Sequence, residues 1–283
     1  SPLHESPNYN RIKLDFIRVA RLMEEIRERY PDRFPTERYP DLFAAPQARQ
    51  IFDYYIDIYV NDILFPSIGD CGGIGNMIRR TPTRYSLLTH EYLFAVERYG
   101  DPRYVRACVD ENGKPLAGEL WETYPEAAIQ ATLLDSTGRF GRSSRLLDAY
   151  GVAILESGDN GKKRSFFLNY TALRGHWQGD PLTIGLYARG VDLLPDLGYP
   201  KTWDYRWQYD SNSLAHNTIT IDETQPAREI GNLGRLFAVE DGVHVITASH
   251  QPYVHGIRKS APKNDLFERT TVMVDVDSER SYV

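Results

Sequence analysis

Two short polar segments of the chain carry side chains that could move protons. The first runs from Glu5 to Asn10, reads Glu-Ser-Pro-Asn-Tyr-Asn, and lies directly before the first predicted helix. A helix N-terminus favours an anion, whereas a phenol ordinarily titrates near pH ~10. Tyr9 is therefore a candidate acid or base only if neighbouring groups stabilise its anion. The alternative is that Tyr9 packs the start of the helix, and the residues alone favour this alternative.

The second segment gathers five chemically different side chains between two predicted strands. It runs from Arg174 to Leu182 and contains a cation, an imidazole, an indole, an amide and a carboxylate. These groups belong to Arg174, His176, Trp177, Gln178 and Asp180. Loops held by a rigid sheet are frequent positions of binding and catalytic residues. The segment is thus either a functional site or a polar hairpin loop, and its residues leave both interpretations open.

A third polar segment contains residues that could bind a metal. His216 and Asn217 open a predicted strand, and Asp196 lies between them and the second segment. With His176, Asp196 and His216 could form a His/Asp/His set, although this spacing gives no specificity. A lone histidine is more often a hydrogen-bonded structural residue than a metal ligand.

The first half of the chain has the periodicity of helices. Apolar residues at steps of three and four predict one helix face before Pro31, and they are Ile12, Phe16, Val19, Met23 and Ile26. A second helix is predicted from about Pro46 to Val60, with four residues inward: Ile51, Tyr54, Tyr55 and Ile58. Asp70 follows in a glycine-rich loop. A third helix is predicted from Pro82 to Gly100, with Tyr85, Leu88, Tyr92 and Val96 on one face, and Asp101 caps a short fourth helix. A further helix is predicted near Glu119 to Leu134.

After Ser144 the period changes to two, which is typical of strands. Glycine and aspartate separate the predicted strands, as at Asp241-Gly242. The predicted strands are Gly151 to Glu156, Arg164 to Tyr170, Leu182 to Ala188, Asn217 to Asp222, Leu236 to Glu240, Val243 to Ser249 and Phe267 to Val276. Helices followed by strands predict an α+β protein or two successive domains.

Composition excludes some classes of function. The net charge of -6, from 33 basic and 39 acidic residues, argues against a nucleic-acid-binding protein. It does not exclude an anionic substrate, because a cleft can be locally positive. No apolar run is long enough to span a membrane, and no signal peptide precedes the first helix. The two cysteines, Cys71 and Cys108, could form one disulfide or none. Both chain ends read as cuts through folded structure.

The order of these segments resembles the heparinase II/III family of polysaccharide lyases. Glu5 to Tyr9 resembles the Glu-x-Ser-Pro-x-Tyr segment of that family. Gly175 to Tyr199 is similar to its His-x-His-x-Asp-x-Leu strand start, its Tyr-Ala-x-Gly strand end and its Leu-Leu-Pro-Asp-x-Gly-Tyr turn. Ala215 to Thr218 resembles its His-Asn-Thr segment, and Gln225, Arg269 and the strand from Val272 to Asp275 also fit.

The resemblance implies an (α/α) toroid followed by an antiparallel β-sandwich. Residues 1–148 would be the toroid part, without its N-terminal half, and residues 149–283 a sandwich truncated at its C-terminus. Family members cleave glycosaminoglycans, alginate or related uronate polymers by β-elimination, which leaves a C4–C5 unsaturated uronate. The resemblance further implies a periplasmic or secreted enzyme that acts on an acidic polysaccharide, and a homo-oligomer is an open alternative to a monomer.

The resemblance also assigns roles to residues. Tyr9 would donate the proton to the leaving O4, and His176 would act as base or charge neutraliser. The implied substrate-binding residues are Arg174, Trp177, Gln178, Asn217 and Asp70. Asp196 and His216 correspond to positions that often hold a structural metal, either zinc or calcium. The family's carboxylate neutraliser would lie before residue 1.

One departure bears on the metal. The second histidine of the family pattern is Gln178 here, so zinc would lack one usual ligand, and calcium or a metal-free hydrogen-bonded cluster becomes an alternative. Two other functions stay open. One is a non-catalytic glycan-binding relative, and the other is a metal-dependent glycan hydrolase that uses Asp180 or Asp196.

Overall fold

The computed structural model describes residues 5–7, 9–61, 64–71, 82–107, 143–158, 162–171, 176–198, 206–220, 233–250, 267–277 and 280–283. The chain divides into two compact units. One unit contains residues 1–10, 58–79 and 142–283, and the other contains residues 11–57 and 80–141. Packing therefore groups two segments of the first half with the strands. The domain boundary at residue 148 stays a prediction.

Four helices are described. They are α1 (Ile12–Arg29), α2 (Pro46–Asp57), α3 (Pro82–Tyr99) and α4 (Pro102–Ala107). The sequence predicted the bounds of α3 and α4 correctly, because proline opens each helix and Gly100, with φ of 63°, follows α3. The Asp101 carboxylate accepts a 2.9 Å hydrogen bond from the backbone N–H of Arg103, which confirms the predicted cap. The helix predicted near Glu119 lies outside the described residues, and a closed toroid stays a prediction.

The predicted inward faces of α1 and α2 need correction. In α1 the predicted stripe is exposed from Phe16, at 69%, to Ile26, whereas Ile17 is buried. Arg18 of α1 donates a 3.0 Å hydrogen bond to the buried carboxylate of Glu91 on α3, so the contact face is rotated by about one residue. In the second helical segment Tyr55 and Ile58 are buried as predicted, whereas Ile51 is exposed and the buried face of α2 also contains Phe52 and Ile56. The second helix ends at Asp57 rather than Val60, because Val60 forms a β-bridge with Leu64.

In the described part of the chain, nine strands form two antiparallel sheets. The first sheet has the order β1-β2-β3-β4-β5, and its strands are Arg145–Leu147, Val152–Ser157, Arg164–Asn169, Ile184–Ala188 and Val191–Asp192. The second has the order β6-β7-β8-β9, with Leu233–Glu240, Val243–His250, Phe267–Asp275 and Ser281–Tyr282. Asp241 and Gly242 have φ of 46° and 76°, which suits the predicted two-residue hairpin between β6 and β7.

The two sheets pack face to face around one apolar core. Alternate residues of β2 and β3 meet alternate residues of β7 and β8, as expected when each sheet buries one face. The core consists of Ala153, Leu155, Phe166, Leu168, Tyr170, Leu182, Ile246, Ala248, Phe267 and Met273. This arrangement agrees with the predicted β-sandwich.

One predicted strand does not form where the structure describes it. Residues 217–220 have no strand pairing, and residues 221 and 222 lie outside the described part. The Asn217 carbonyl accepts a 3.0 Å hydrogen bond from the Arg269 guanidinium and a 3.3 Å bond from the backbone N–H of Ile184. A side-chain donor thus takes the place of a regular strand partner at this point.

Two further findings concern the sequence-based expectations. No helix among the described residues is long and apolar enough to cross a membrane. Cys71 is buried, whereas Cys108 lies outside the described residues. The two alternatives for Cys71 and Cys108, one disulfide or none, therefore both stay open.

Candidate functional site

The first cluster joins Tyr9, His176 and Glu5. The rings of Tyr9 and His176 lie face to face, with centroids 3.5 Å apart and planes 5° from parallel. On its edge, His176 Nδ1 lies 2.5 Å from Glu5 Oε2. About a third of the His176 side chain and of the Glu5 side chain is exposed, so the cluster is open to solvent.

Backbone bonds fix these three residues to neighbouring segments. Ser6 is buried, its carbonyl accepts hydrogen bonds from the backbone N–H groups of Tyr9 and Asn10, and its hydroxyl donates to the Asp70 carbonyl. The Asp70 N–H in turn donates to the His176 carbonyl at 3.0 Å. The glycine-rich loop therefore ties the tyrosine segment to the histidine segment.

His176 has an unusual backbone conformation. Its φ is 46°, in the left-handed region that residues with a side chain seldom adopt. Such outliers persist where surrounding contacts determine them, and they are common at functional sites. Here the turn directs the imidazole toward Glu5 and Tyr9 while the next residues return to the protein interior.

The second cluster is a buried hydrogen-bonded network behind the first. The Gln178 amide donates a 2.7 Å hydrogen bond to Asp70 Oδ1 and a 2.6 Å bond to the Gly198 carbonyl. Gln178 and Asp70 are 0% and 1% exposed. Neither side chain is exposed enough to contact a polymer directly. Their predicted role in substrate binding is therefore corrected: both residues support the site from the protein interior.

Asp196 and His216 continue this network. His216 Nδ1 lies 2.8 Å from Asp196 Oδ2, and Asp196 Oδ1 accepts a 2.7 Å hydrogen bond from the Gly198 N–H. Burial alone would lower the pKa of His216, but the hydrogen bond and charge of Asp196 outweigh it and raise that pKa. The carboxylate of Asp196 therefore makes protonation of this imidazole easier than in water.

Asp180 is a further buried carboxyl group of the network. Its Oδ2 accepts a 2.7 Å hydrogen bond from the Gly69 N–H. Burial raises the pKa of Asp180 to about 6, although His216 and the Gly69 hydrogen bond act in the opposite direction. Gly179 packs beside it, because a Cβ atom there would meet the Ser213 hydroxyl at 2.8 Å.

The residues present do not fit the implied metal. The two nitrogens of an imidazole point in divergent directions, so an ion on His216 Nε2 would lie across the ring from Asp196 Oδ2. An ion on Nδ1 would have to displace the existing hydrogen bond to Asp196. Among the described residues no group of three His, Cys, Asp or Glu side chains is arranged for a metal. The metal stays a prediction, and no chemistry below depends on it.

Three more residues were predicted to bind substrate, and they are Trp177, Arg174 and Asn217. Trp177 is half-buried next to His176, whereas Arg174 lies outside the described residues. The Asn217 side-chain amide donates to the carbonyls of Leu194 and Pro195, so it holds the turn before Asp196 rather than facing a ligand. Sequence reasoning did not select Glu5 as a site residue, although its place in the Tyr9 motif was a usable signal.

Comparison with known proteins supports the family resemblance. Residues 141–275 match the family described as heparinase II/III-like, C-terminal. No curated protein sequence matches the chain. The family match covers both sheets through β8 and includes His176 and four residues of the buried network, which are Gln178, Asp180, Asp196 and His216.

Three solved structures show the same fold. Heparan sulfate lyase HepC from Pedobacter heparinus aligns with a TM-score of 0.62 and 15% identity, over 96% of this chain and 36% of its own. A heparinase III gene product aligns at 0.56 and 14%, over 85% and 33%. A further heparinase III structure aligns at 0.52 and 16%, over 84% and 34%. The chain thus spans about a third of the length of these structures, and at such identity the likeness concerns the fold.

Proposed function

Because residues 141–275 form a heparinase II/III-like C-terminal domain, we propose that the protein is a polysaccharide lyase. It cleaves a uronate-containing acidic polysaccharide by β-elimination at the cluster of Tyr9, His176 and Glu5. The product is a C4–C5 unsaturated uronate.

The stacked pair of Tyr9 and His176 is the observation that carries this proposal. A phenol and an imidazole are both able to transfer protons, and here they are in ring contact beside a carboxylate. Each is also reachable, since Tyr9 and His176 are of intermediate exposure. The likeness of fold to heparan sulfate and heparin lyases supports the same reaction class.

The proposed step moves one proton from carbon to oxygen. His176 accepts the C5 proton of the uronate, the electron pair forms the C4–C5 double bond, and the C4–O4 bond breaks. Tyr9 donates its phenolic proton to the departing O4. Return of the proton from His176 to Tyr9 restores the starting state, so no water is consumed. Each proton transfer by a positioned side chain typically contributes ~10²–10⁴-fold to the rate.

The substrate is a glycosaminoglycan, alginate or a similar uronate polymer. A half-buried Trp177 beside His176 provides an aromatic face for a sugar ring. Such polymers are extracellular, so the protein acts in the periplasm or outside the cell. The helices belong to an (α/α) toroid, and an oligomeric form stays a prediction.

The two alternative functions gain no support from the described residues. Asp180 and Asp196, the acids of the hydrolase hypothesis, are 2% and 5% exposed and bonded within the protein. The glycan-binding alternative interprets Gln178, in place of a histidine, as a sign that the site has decayed. Gln178 is hydrogen-bonded within the protein, and Tyr9 and His176 are in contact.

Ultraviolet absorbance of the protein with heparan sulfate, hyaluronan, chondroitin sulfate and alginate tests the proposal. Formation of the unsaturated uronate on one polymer is the expected result and identifies the substrate class. Reducing ends that accumulate without any unsaturated product would show a hydrolase instead.

A further inference from the structure

We propose that Glu5 is the positioning residue of His176, fixing the imidazole so that Nε2 accepts the substrate proton. This inference rests on the proposed lyase function and adds a residue to its site. The 2.5 Å contact between Glu5 Oε2 and His176 Nδ1 joins residues that are 171 positions apart.

The contact determines which ring nitrogen carries hydrogen. An ionised carboxylate only accepts hydrogen bonds, so the hydrogen between the two groups belongs to Nδ1. In the neutral imidazole the lone pair then lies on Nε2, on the other side of the ring from Glu5. A base must present that lone pair to its proton, and the partner of the opposite nitrogen selects it.

The chain holds Glu5 in place by its backbone. The Glu5 carbonyl accepts a 2.7 Å hydrogen bond from the Tyr150 hydroxyl and a 3.4 Å bond from the Asn10 amide. Tyr150 is buried at the end of β1, in the unit that contains the sheets. These two hydrogen bonds hold the Glu5 backbone in one position. A residue whose side chain only bridged two surface segments would not need its backbone to be held in this way.

Glu5 also compensates charge during the reaction. Once Nε2 has taken the C5 proton, the imidazole carries a positive charge against the face of Tyr9. The adjacent carboxylate stabilises that charge, as an ion pair does where water is partly excluded. Tyr9 and Glu5 thus act on different parts of the same ring.

The test compares Glu5→Gln and Glu5→Asp with Glu268→Gln, which removes an exposed carboxylate from β8. Glu5→Gln keeps the shape but can donate to Nδ1 as well as accept, so kcat should fall by at least about 10-fold with little change in KM. Glu5→Asp keeps the anion and should recover part of this loss. Glu268→Gln should have the wild-type kcat.

Nitrogen NMR of the ¹⁵N-histidine-labelled protein gives a second readout. Neutral His176 should carry hydrogen on Nδ1 in the wild type and in Glu5→Asp, and a mixture of tautomers in Glu5→Gln. An unchanged tautomer, or wild-type kcat, in Glu5→Gln would overturn the proposal. If the wild-type protein cleaves no polymer, the proposed function fails, and the NMR comparison alone then decides whether Glu5 positions His176.

Discussion

The side-chain amide of Gln178 donates a 2.7 Å hydrogen bond to Asp70 Oδ1, deep below the surface on which Tyr9 and His176 meet. This bond joins the segment after His176 to the loop that binds the His176 carbonyl. The buried network therefore determines the geometry of the candidate site without contacting a substrate.

Replacement of Gln178 by leucine should destabilise the protein. The variant leaves Asp70 Oδ1 and the Gly198 carbonyl without their donor, and each buried unsatisfied group costs about 1–3 kcal/mol. We expect the free energy of unfolding in urea to fall by about 2–5 kcal/mol. The control Gln208→Leu, at an exposed position, should change it by less than about 0.5 kcal/mol. Equal stability of the Gln178 variant and the wild type would contradict the assigned role.

Removal of divalent metal ions should leave the protein equally stable. Asp196 and His216 are hydrogen-bonded to each other, and no third ligand converges with them among the described residues. We expect the same melting temperature before and after dialysis against EDTA, with less than one bound metal per chain by elemental analysis. One zinc or calcium ion per chain, with a large loss of stability on chelation, would restore the metal assignment made from sequence.

Asp180→Asn should stabilise the protein at neutral pH. The pKa of Asp180 is raised from 3.8 to about 6 in the folded state, so its favourable contribution is complete below 3.8 and is lost as pH rises through 6. Asparagine stays neutral and can still accept the Gly69 hydrogen bond. The gain at pH 8 should be about 2–3 kcal/mol, on the basis of 1.4 kcal/mol per pKa unit.

Urea unfolding of the Asp180→Asn variant at pH 8 and pH 4 measures this effect. The difference from the wild type should be largest at pH 8 and small at pH 4. A destabilised variant at pH 8 would mean that the negative charge of Asp180 is needed, as a partner of protonated His216, more than burial penalises it.

Asp275 should stabilise the protein in its ionised form, in contrast to Asp180. It lies on β8 and accepts hydrogen bonds from Ser157 at 2.7 Å and Arg164 at 3.0 Å, both on the first sheet, and from Ser281. Burial alone would raise its pKa, but these partners outweigh burial and lower it. The stability from Asp275 is thus present above pH 3.8 and is lost as pH falls through the folded pKa.

Unfolding of Asp275→Asn tests this connection between the sheets. We expect a loss of about 1–3 kcal/mol at pH 7, which shrinks as pH falls through the lowered pKa of Asp275, because the wild-type carboxylate then becomes protonated as well. Glu240→Gln, at the exposed end of β6, is the control and should show no such loss. A loss that stays the same at every pH, down to acid in which the wild-type carboxylate is protonated, would show that charge is not involved.

The sequence predicted correctly those elements whose periodicity or ends depend on residues that are close together in the chain. Alternation predicted β7 and β8, and Pro82 and Gly100 marked the ends of α3. The exposed stripe of α1 was assigned to the interior because periodicity identifies an apolar face but not its partner. The strand expected at Asn217 fails because Arg269, distant in sequence, takes the Asn217 carbonyl.

The sequence predicted which residues belong to the candidate site but not how they are arranged. Motif order selected Tyr9, His176, Asp196 and His216, yet spacing alone could not show that Tyr9 stacks on His176 or that Asp196 bonds to His216. The contact of Glu5 with His176 depends on folding across 171 positions. Burial, which only the folded chain determines, changed the role of Gln178 and Asp70 from substrate contact to support.

The most direct test of the central claim is the rate of unsaturated uronate formation by Tyr9→Phe. The substitution removes only the hydroxyl and keeps the ring that stacks on His176, while Tyr209→Phe, at an exposed tyrosine, is the matched control. We expect the Tyr9 variant to lose at least about 10²-fold in rate on the polymer that the wild type cleaves, and the control to lose nothing. A Tyr9→Phe variant that forms the product at the wild-type rate would contradict it.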